Sequence, residues 1–129
     1  MAGALAYWRR AARNTIVKLG PRGSRWVVGD AARSAKAFAL RDGGHTVARR
    51  LPPSDVSMPA PRVRAVDTTG AGDAFNGGFL TAWLIGQTPR ECLRIGNLVG
   101  AASTRAAGGV DALPFRPARP ARLTRLTRP

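Results

Sequence analysis

The chain has 129 residues, one cysteine and a formal net charge of +14. Its length suits a single domain and its 44% hydrophobic content is that of a globular chain rather than a disordered one. No apolar run approaches the roughly 18 residues of a membrane-spanning helix, the N-terminus lacks the basic-then-apolar pattern of a signal peptide, and Cys92 alone excludes an intrachain disulfide, which together point to a reducing, cytoplasmic setting.

In chain order, residues 2–13 read as a short helix or the tail of one. Asn14–Leu19 is a β-rich run closed by Gly20-Pro21-Arg22-Gly23, and Ser24–Gly29, with Trp26, Val27 and Val28, reads as a second strand after that turn. Residues 30–44 carry no clear period. Ala31–Leu40 fits a turn or two of helix, ended by Asp42-Gly43-Gly44. His45–Leu51 fits a strand, Pro52-Pro53-Ser54-Asp55 breaks it, and Arg62–Val66 alternates as another short strand.

From Asp73 to Ile85, Phe75, Phe79, Ala82 and Trp83 recur near helical spacing and predict one buried face. Gly77 and Gly78 weaken such a helix intrinsically, so they predict close packing against it. Gly86 is a stop signal, and Thr88-Pro89 opens a helix to about Arg105, with Cys92, Leu93, Leu98, Val99 and Ala102 inward. Ala107–Asp111 is a loop. Residues 115–129 form a basic tail rich in proline and arginine, expected to be disordered or loosely attached. His45 reads as a surface residue and Cys92 as core. Trp8, Trp26 and Trp83 are separated in sequence, which favours packing over a platform for stacked bases.

Asp67-Thr68-Thr69-Gly70-Ala71-Gly72-Asp73 carries the chemistry. Three small residues between two carboxylates run directly into a helix. Such a segment leaves bare backbone N–H groups at the helix N-terminus, where an anion can sit. It also sets Asp73 beside that anion, and phosphoryl transfer needs both donors for negative charge and a base for the attacking hydroxyl. The plainer reading is a tight turn with Asp73 as a capping charge. Seven defined positions, continued by Ala74-Phe75-Asn76-Gly77-Gly78-Phe79, favour the functional one.

This stretch closely resembles the second signature of the PfkB carbohydrate kinases, the ribokinase-like family. Lys18-Leu19-Gly20-Pro21-Arg22-Gly23 resembles the family's strand–turn bordering the nucleotide, and Ser103–Pro114 resembles its C-terminal loop, in the family's order. The resemblance implies an α/β chain: residues 14–114 as the C-terminal, nucleotide-binding portion of a three-layer α/β/α fold, incomplete, with residues 1–13 a helical remnant. It implies ATP- and Mg²⁺-dependent phosphorylation of a sugar or sugar-acid hydroxyl. Asp73 is then the base, and Gly70, Ala71 and Gly72 the anion hole. Lys18, Gly20, Gly23 and Asn97 border the nucleotide. Asp67 and Thr69, with carbonyls near Ala107–Gly109, match a monovalent-cation site such as K⁺, although Asp67 also suits a purely loop-holding role.

The resemblance has gaps. Nothing upstream of Asn14 matches the family's metal-associated motif, residues 30–56 match poorly, and no sugar pocket is recognisable. A truncated sheet also predicts an open edge and self-association. Two other readings follow: a non-catalytic nucleotide-binding fragment, and a basic nucleic-acid-binding protein suggested by the charge of +14. The second is weakened by arginines that are scattered and not interleaved with aromatics; such charge supports only non-specific contact.

Overall fold

In the structure, a computed structural model that describes residues 2–30, 38–42, 45–49, 54–109 and 113, helix α1 (Ala2–Ala11) leads into strand β1 (Asn14–Lys18). A 3₁₀ turn at Gly20–Arg22 reverses the chain into β2 (Ser24–Val28). Pro21 supplies a fixed φ inside that turn, Leu19 donates to Gly23 O (2.7 Å), and Gly23 N donates to Gly20 O (2.9 Å). Then come β3 (Phe38–Asp42), β4 (His45–Arg49), β5 (Val56–Met58), α2 (Ala71–Leu84) and α3 (Pro89–Ser103).

Strand β2 is central in an antiparallel sheet of order β1-β2-β5, with Ile16 opposite Trp26 and Trp26 opposite Val56. β3 and β4 form a separate antiparallel pair. Trp26-Val27-Val28 is buried on both faces of the strand, which explains its continuous apolar run. Trp26 and Val28 join Phe75, Phe79, Ala82, Cys92 and Leu93 in the core. Helix α1 touches β1 and β2, α2 packs along α3, and α3 packs on β2 and β5.

The aromatic centre is Trp26, whose ring lies 5.3 Å from Phe79 and 5.0 Å from Trp83, with Nε1 donating to Asn14 Oδ1 (2.9 Å). Trp26 and Trp83 thus pack together, as a core role requires. Cys92 is buried, as expected. The alternation at Arg62–Val66 does not mark a strand: these residues are exposed and outside every ladder, and β5 at Val56–Met58 takes that place. Pro59 and Pro61, which have no N–H, precede the segment, and the Val66 N–H is spent on Thr104 O (2.7 Å) rather than on a ladder. Phe38–Leu40 belong to a strand, not a helical turn, while residues 31–37 lie outside the described residues. Leu98 is exposed rather than inward. Of the two glycines, only Gly78 is tightly packed, against Val99; a Cβ at Gly77 would meet open space. The His45 side chain and the tail fall outside the described residues.

Asp55 ties α1 to the sheet. Its carboxylate accepts from Arg9 Nη2, from Arg25 Nη2 (2.8 Å) and from Val28 N (3.2 Å). Partial burial pushes its pKa up, but the Val28 N–H and the two guanidinium groups outweigh this and hold it below the ordinary carboxylate value. Its contribution to stability is therefore complete above the unfolded pKa of about 3.9 and is lost as pH falls through the folded value. Asp55→Asn is expected to cost about 1–3 kcal/mol at neutral pH and to flatten the acid limb of stability below about pH 4. Thermal melts of both proteins from pH 2 to 7 check this; parallel acid limbs would assign the acid sensitivity to other groups.

Candidate active site

The Asp67–Asp73 loop turns into α2 at Gly70, which is the N-cap in a left-handed conformation (φ +72°). Glycine adopts that conformation without the Cβ clash other residues meet there. Ala71, Gly72 and Asp73 follow as the first three helical residues. Among them the Asp73 N–H donates to Gly70 O (3.0 Å) and the Ala71 N–H to Thr68 O (3.2 Å). The N–H groups of Gly70 and Gly72 have no acceptor among the described residues. Of the three donors expected to form an anion hole, two are thus open and one is engaged. Asp73 itself is exposed and directly follows Gly72.

Asp67 fixes this loop. Oδ1 accepts from Thr69 N (2.8 Å) and Oδ2 from Gly108 N (3.2 Å). The Thr69 N–H, then its hydroxyl, then the Gly108 N–H lower the Asp67 pKa. Val66 N and Asp67 N both donate to Thr104 O (2.7 and 3.2 Å), clamping the loop to the end of α3. Gly109 closes the contact: a Cβ there would stand 2.7 Å from Thr69 O. Asp67 therefore does perform the loop-holding role. Thr69 O lies against the Gly108–Gly109 loop close to the Asp67 carboxylate, so the donor set also suits a hard cation with oxygen ligands. No group of three His, Cys, Asp or Glu residues able to hold a metal exists among the described residues.

A cleft of about 370 Å³ opens beside this turn. Its walls are the β1–β2 turn (Lys18, Gly20, Pro21, Gly23), the extended segment Ala60–Ala65, the start of α2 (Ala71, Gly72, Phe75) and one side of α3 (Asn97, Gly100, Ala101, Thr104). The structure thus gathers Lys18, Gly20, Gly23, Asn97, Ala71 and Gly72 around one space. Asp67, Thr69, Gly70 and Asp73 adjoin it through the loop without lining it. Gly23 has a structural reason as well: a Cβ there would sit 2.1 Å from Met58 O. Buried Asn97 donates from Nδ2 to Met58 O (3.0 Å) and Pro59 O (3.2 Å), so its amide holds the β5 exit that forms the opposite wall.

Sequence reading missed Phe75, which paves the cleft, and Asn76, whose Oδ1 accepts from Lys18 Nζ (3.3 Å). Phe75 looked like an ordinary core position. Asn76 carried a signal, being a polar residue one turn after Gly72 on the same helix face.

The glycine-capped helix, the tied loop and the cleft between sheet and helix pair are those of a ribokinase-like α/β fold. Ribokinase from Thermotoga maritima superposes with a TM-score of 0.58 at 30% identity, covering 80% of this chain and 27% of that one. Aminoimidazole riboside kinase from Salmonella enterica, solved with aminoimidazole riboside and an ATP analog, superposes with a TM-score of 0.57 at 30% identity, covering 81% of this chain and 29% of that one. An uncharacterized sugar kinase of Archaeoglobus fulgidus is 45% identical over 60 residues, 46% of this chain and 24% of the relative. The model of the pfkB family carbohydrate kinases matches residues 52–116, and the chain belongs to that family. It spans about a quarter of the length of these relatives.

Proposed function

We propose that this chain supplies the nucleotide-binding and phosphoryl-transfer wall of an ATP-dependent carbohydrate kinase acting on a sugar or sugar-acid hydroxyl. The observation that carries this reading is the pair of N–H groups, Gly70 and Gly72, without an acceptor among the described residues at the positive end of α2, next to Asp73, with Gly72 lining a largely apolar cleft. An apolar cleft of this size takes a nucleoside, and its small residues let backbone approach a phosphate. The two N–H groups and the helix end hold the transferring phosphoryl, with Ala71 shaping the turn between them. Asp73 accepts the proton of the attacking hydroxyl and orients it; a loose transition state asks little more of a base. Lys18, Gly20, Gly23 and Asn97 border the nucleotide.

Asp67 and Thr69, with the carbonyls of the 107–109 loop, would hold a monovalent cation such as K⁺, and Mg²⁺ accompanying the triphosphate would screen its charge. Residues 14–114 are the working unit in this proposal, with 1–13 and 115–129 peripheral. No described helix is long and apolar enough to cross a membrane, and a cytoplasmic location is part of the proposal. So is self-association through the sheet, since β1 and β5 each pair only with β2 among the described residues.

ATP titration by calorimetry, with amide shifts mapped by NMR, tests this. Binding is expected, with shifts at residues 18–23, 70–73 and 97–104; absence of binding at millimolar ATP overturns the proposal. A second reading is nucleotide binding by this chain without transfer. Sustained ATP-dependent phosphorylation of a sugar panel by the chain rules that second reading out.

A further inference from the structure

Lys18 ends β1, yet its ammonium group lies on the first turns of α2. Nζ donates to Gly72 O (3.2 Å) and Asn76 Oδ1 (3.3 Å) and stands 6.0 Å from the centroid of the Phe75 ring. Its location is electrostatically unfavourable on its own, because a cation at the N-terminal end of a helix opposes the macrodipole. Both acceptors are neutral, and both distances exceed the charge-assisted norm. The ammonium group is exposed, so solvation offers it other positions, yet it stands against Gly72, 3.1 Å from where a Cβ would be, on the turn whose Gly70 and Gly72 N–H groups have no acceptor among the described residues. A negative group at that turn would offset the opposition between the ammonium and the positive helix end.

Asn76 gives the arrangement direction. An ammonium has only donors, so the Asn76 atom facing it must be the amide oxygen. The Asn76 NH₂ is thereby turned away from Lys18, with two further donors. Packing of the lysine stem on Phe75 would account for the ring contact but not for this orientation of the amide.

We propose that Lys18 and Asn76 form a paired arm that grips the terminal phosphates of a bound nucleoside triphosphate, with Asn76 positioning the Lys18 ammonium. The proposal rests on the reading of the cleft as an ATP site. It goes further by assigning Lys18 to the phosphate end rather than to the base or ribose, and by giving Asn76 a positioning role.

The test measures dissociation constants of ATP and adenosine for the wild-type chain, Lys18→Met, Lys18→Arg, Asn76→Ala and the double variant. Lys18→Met is expected to weaken ATP by roughly ten- to a hundredfold, the range of one charge-assisted contact, and adenosine by less than about twofold. Lys18→Arg restores part of the ATP affinity, because the charge remains. Asn76→Ala weakens ATP by about three- to tenfold, and adds little once Lys18 is already replaced, because it acts through Lys18. Equal losses for ATP and adenosine, or no loss for either, overturn the arm while leaving the cleft reading intact. A wild-type chain that binds neither ligand overturns the cleft reading and the arm with it.

Discussion

Replacing Phe75 with alanine is expected to remove about 3–5 kcal/mol of folding stability, a large part of the roughly 5–15 kcal/mol that holds a small domain together. Phe75 is only 5% exposed and stacks on Phe79, with centroids 5.9 Å apart and planes inclined by 13°. What lies beneath it sets the magnitude. On α3, Gly96 faces the ring, and a Cβ there would come within 2.8 Å of Phe75 Cε2; Gly100 faces its Cβ at 3.2 Å in the same sense. Deleting the ring opens a void bordered by two glycines that have no side chains to move into it. Cavity cost rises with the volume that neighbours fail to fill, so the loss belongs at the upper end for a phenylalanine. Since Phe75 also lines the cleft, ATP affinity should fall with stability. Urea unfolding followed by circular dichroism measures the first, with Leu80→Ala as a control at an exposed position, expected to change stability by less than about 0.5 kcal/mol. A Phe75→Ala loss below about 1 kcal/mol would mean that α2 settles onto α3 and that the helix pair is not rigid.

What the chain reveals about itself depends on how local each feature is. The β1–turn–β2 hairpin was legible because Gly20-Pro21-Arg22-Gly23 dictates its reversal locally and the apolar run Trp26-Val27-Val28 reads as a strand, which the structure buries on both faces. The Asp67–Asp73 loop was legible because its small residues and first-turn carboxylate have few structural alternatives. β5 was not. Three residues, Val56–Met58, are strand only because β2 is there to pair with them, while the better alternation at Arg62–Val66 is never paired. Gly77 and Gly78 are indistinguishable in sequence, and only the approach of Val99 separates them. Asn97 lines the cleft, but its two bonds to Met58 and Pro59 carbonyls depend on a tertiary crossing that no local pattern encodes. Lys18 and Asn76 meet for the same reason, across 58 residues of chain.

Asp73→Asn is expected to lower phosphoryl transfer by about a hundred- to ten-thousandfold, the usual range for losing a general base, and to leave ATP affinity unchanged or slightly improved. The two effects separate because of where Asp73 sits. As the third residue of α2 its carboxylate favours the helix N-terminus, a surface effect of about 0.3–1 kcal/mol. Asparagine keeps the shape and a hydrogen-bonding oxygen but loses this charge, so folding stability should fall only by that amount. The carboxylate also belongs to the same first turn as the Gly70 and Gly72 donors, where it would repel a bound phosphate. Removing it relieves that repulsion, so a variant that binds ATP as well as the parent yet cannot transfer its phosphoryl group has lost the base alone. The measurements are ATP affinity, thermal stability and transfer to a panel of sugars and sugar acids on the same preparation. If transfer by Asp73→Asn equals that of the parent while stability drops by the capping amount, Asp73 serves the helix and not the hydroxyl. The proton would then leave by another route, and the open N–H pair would remain an anion site without its base.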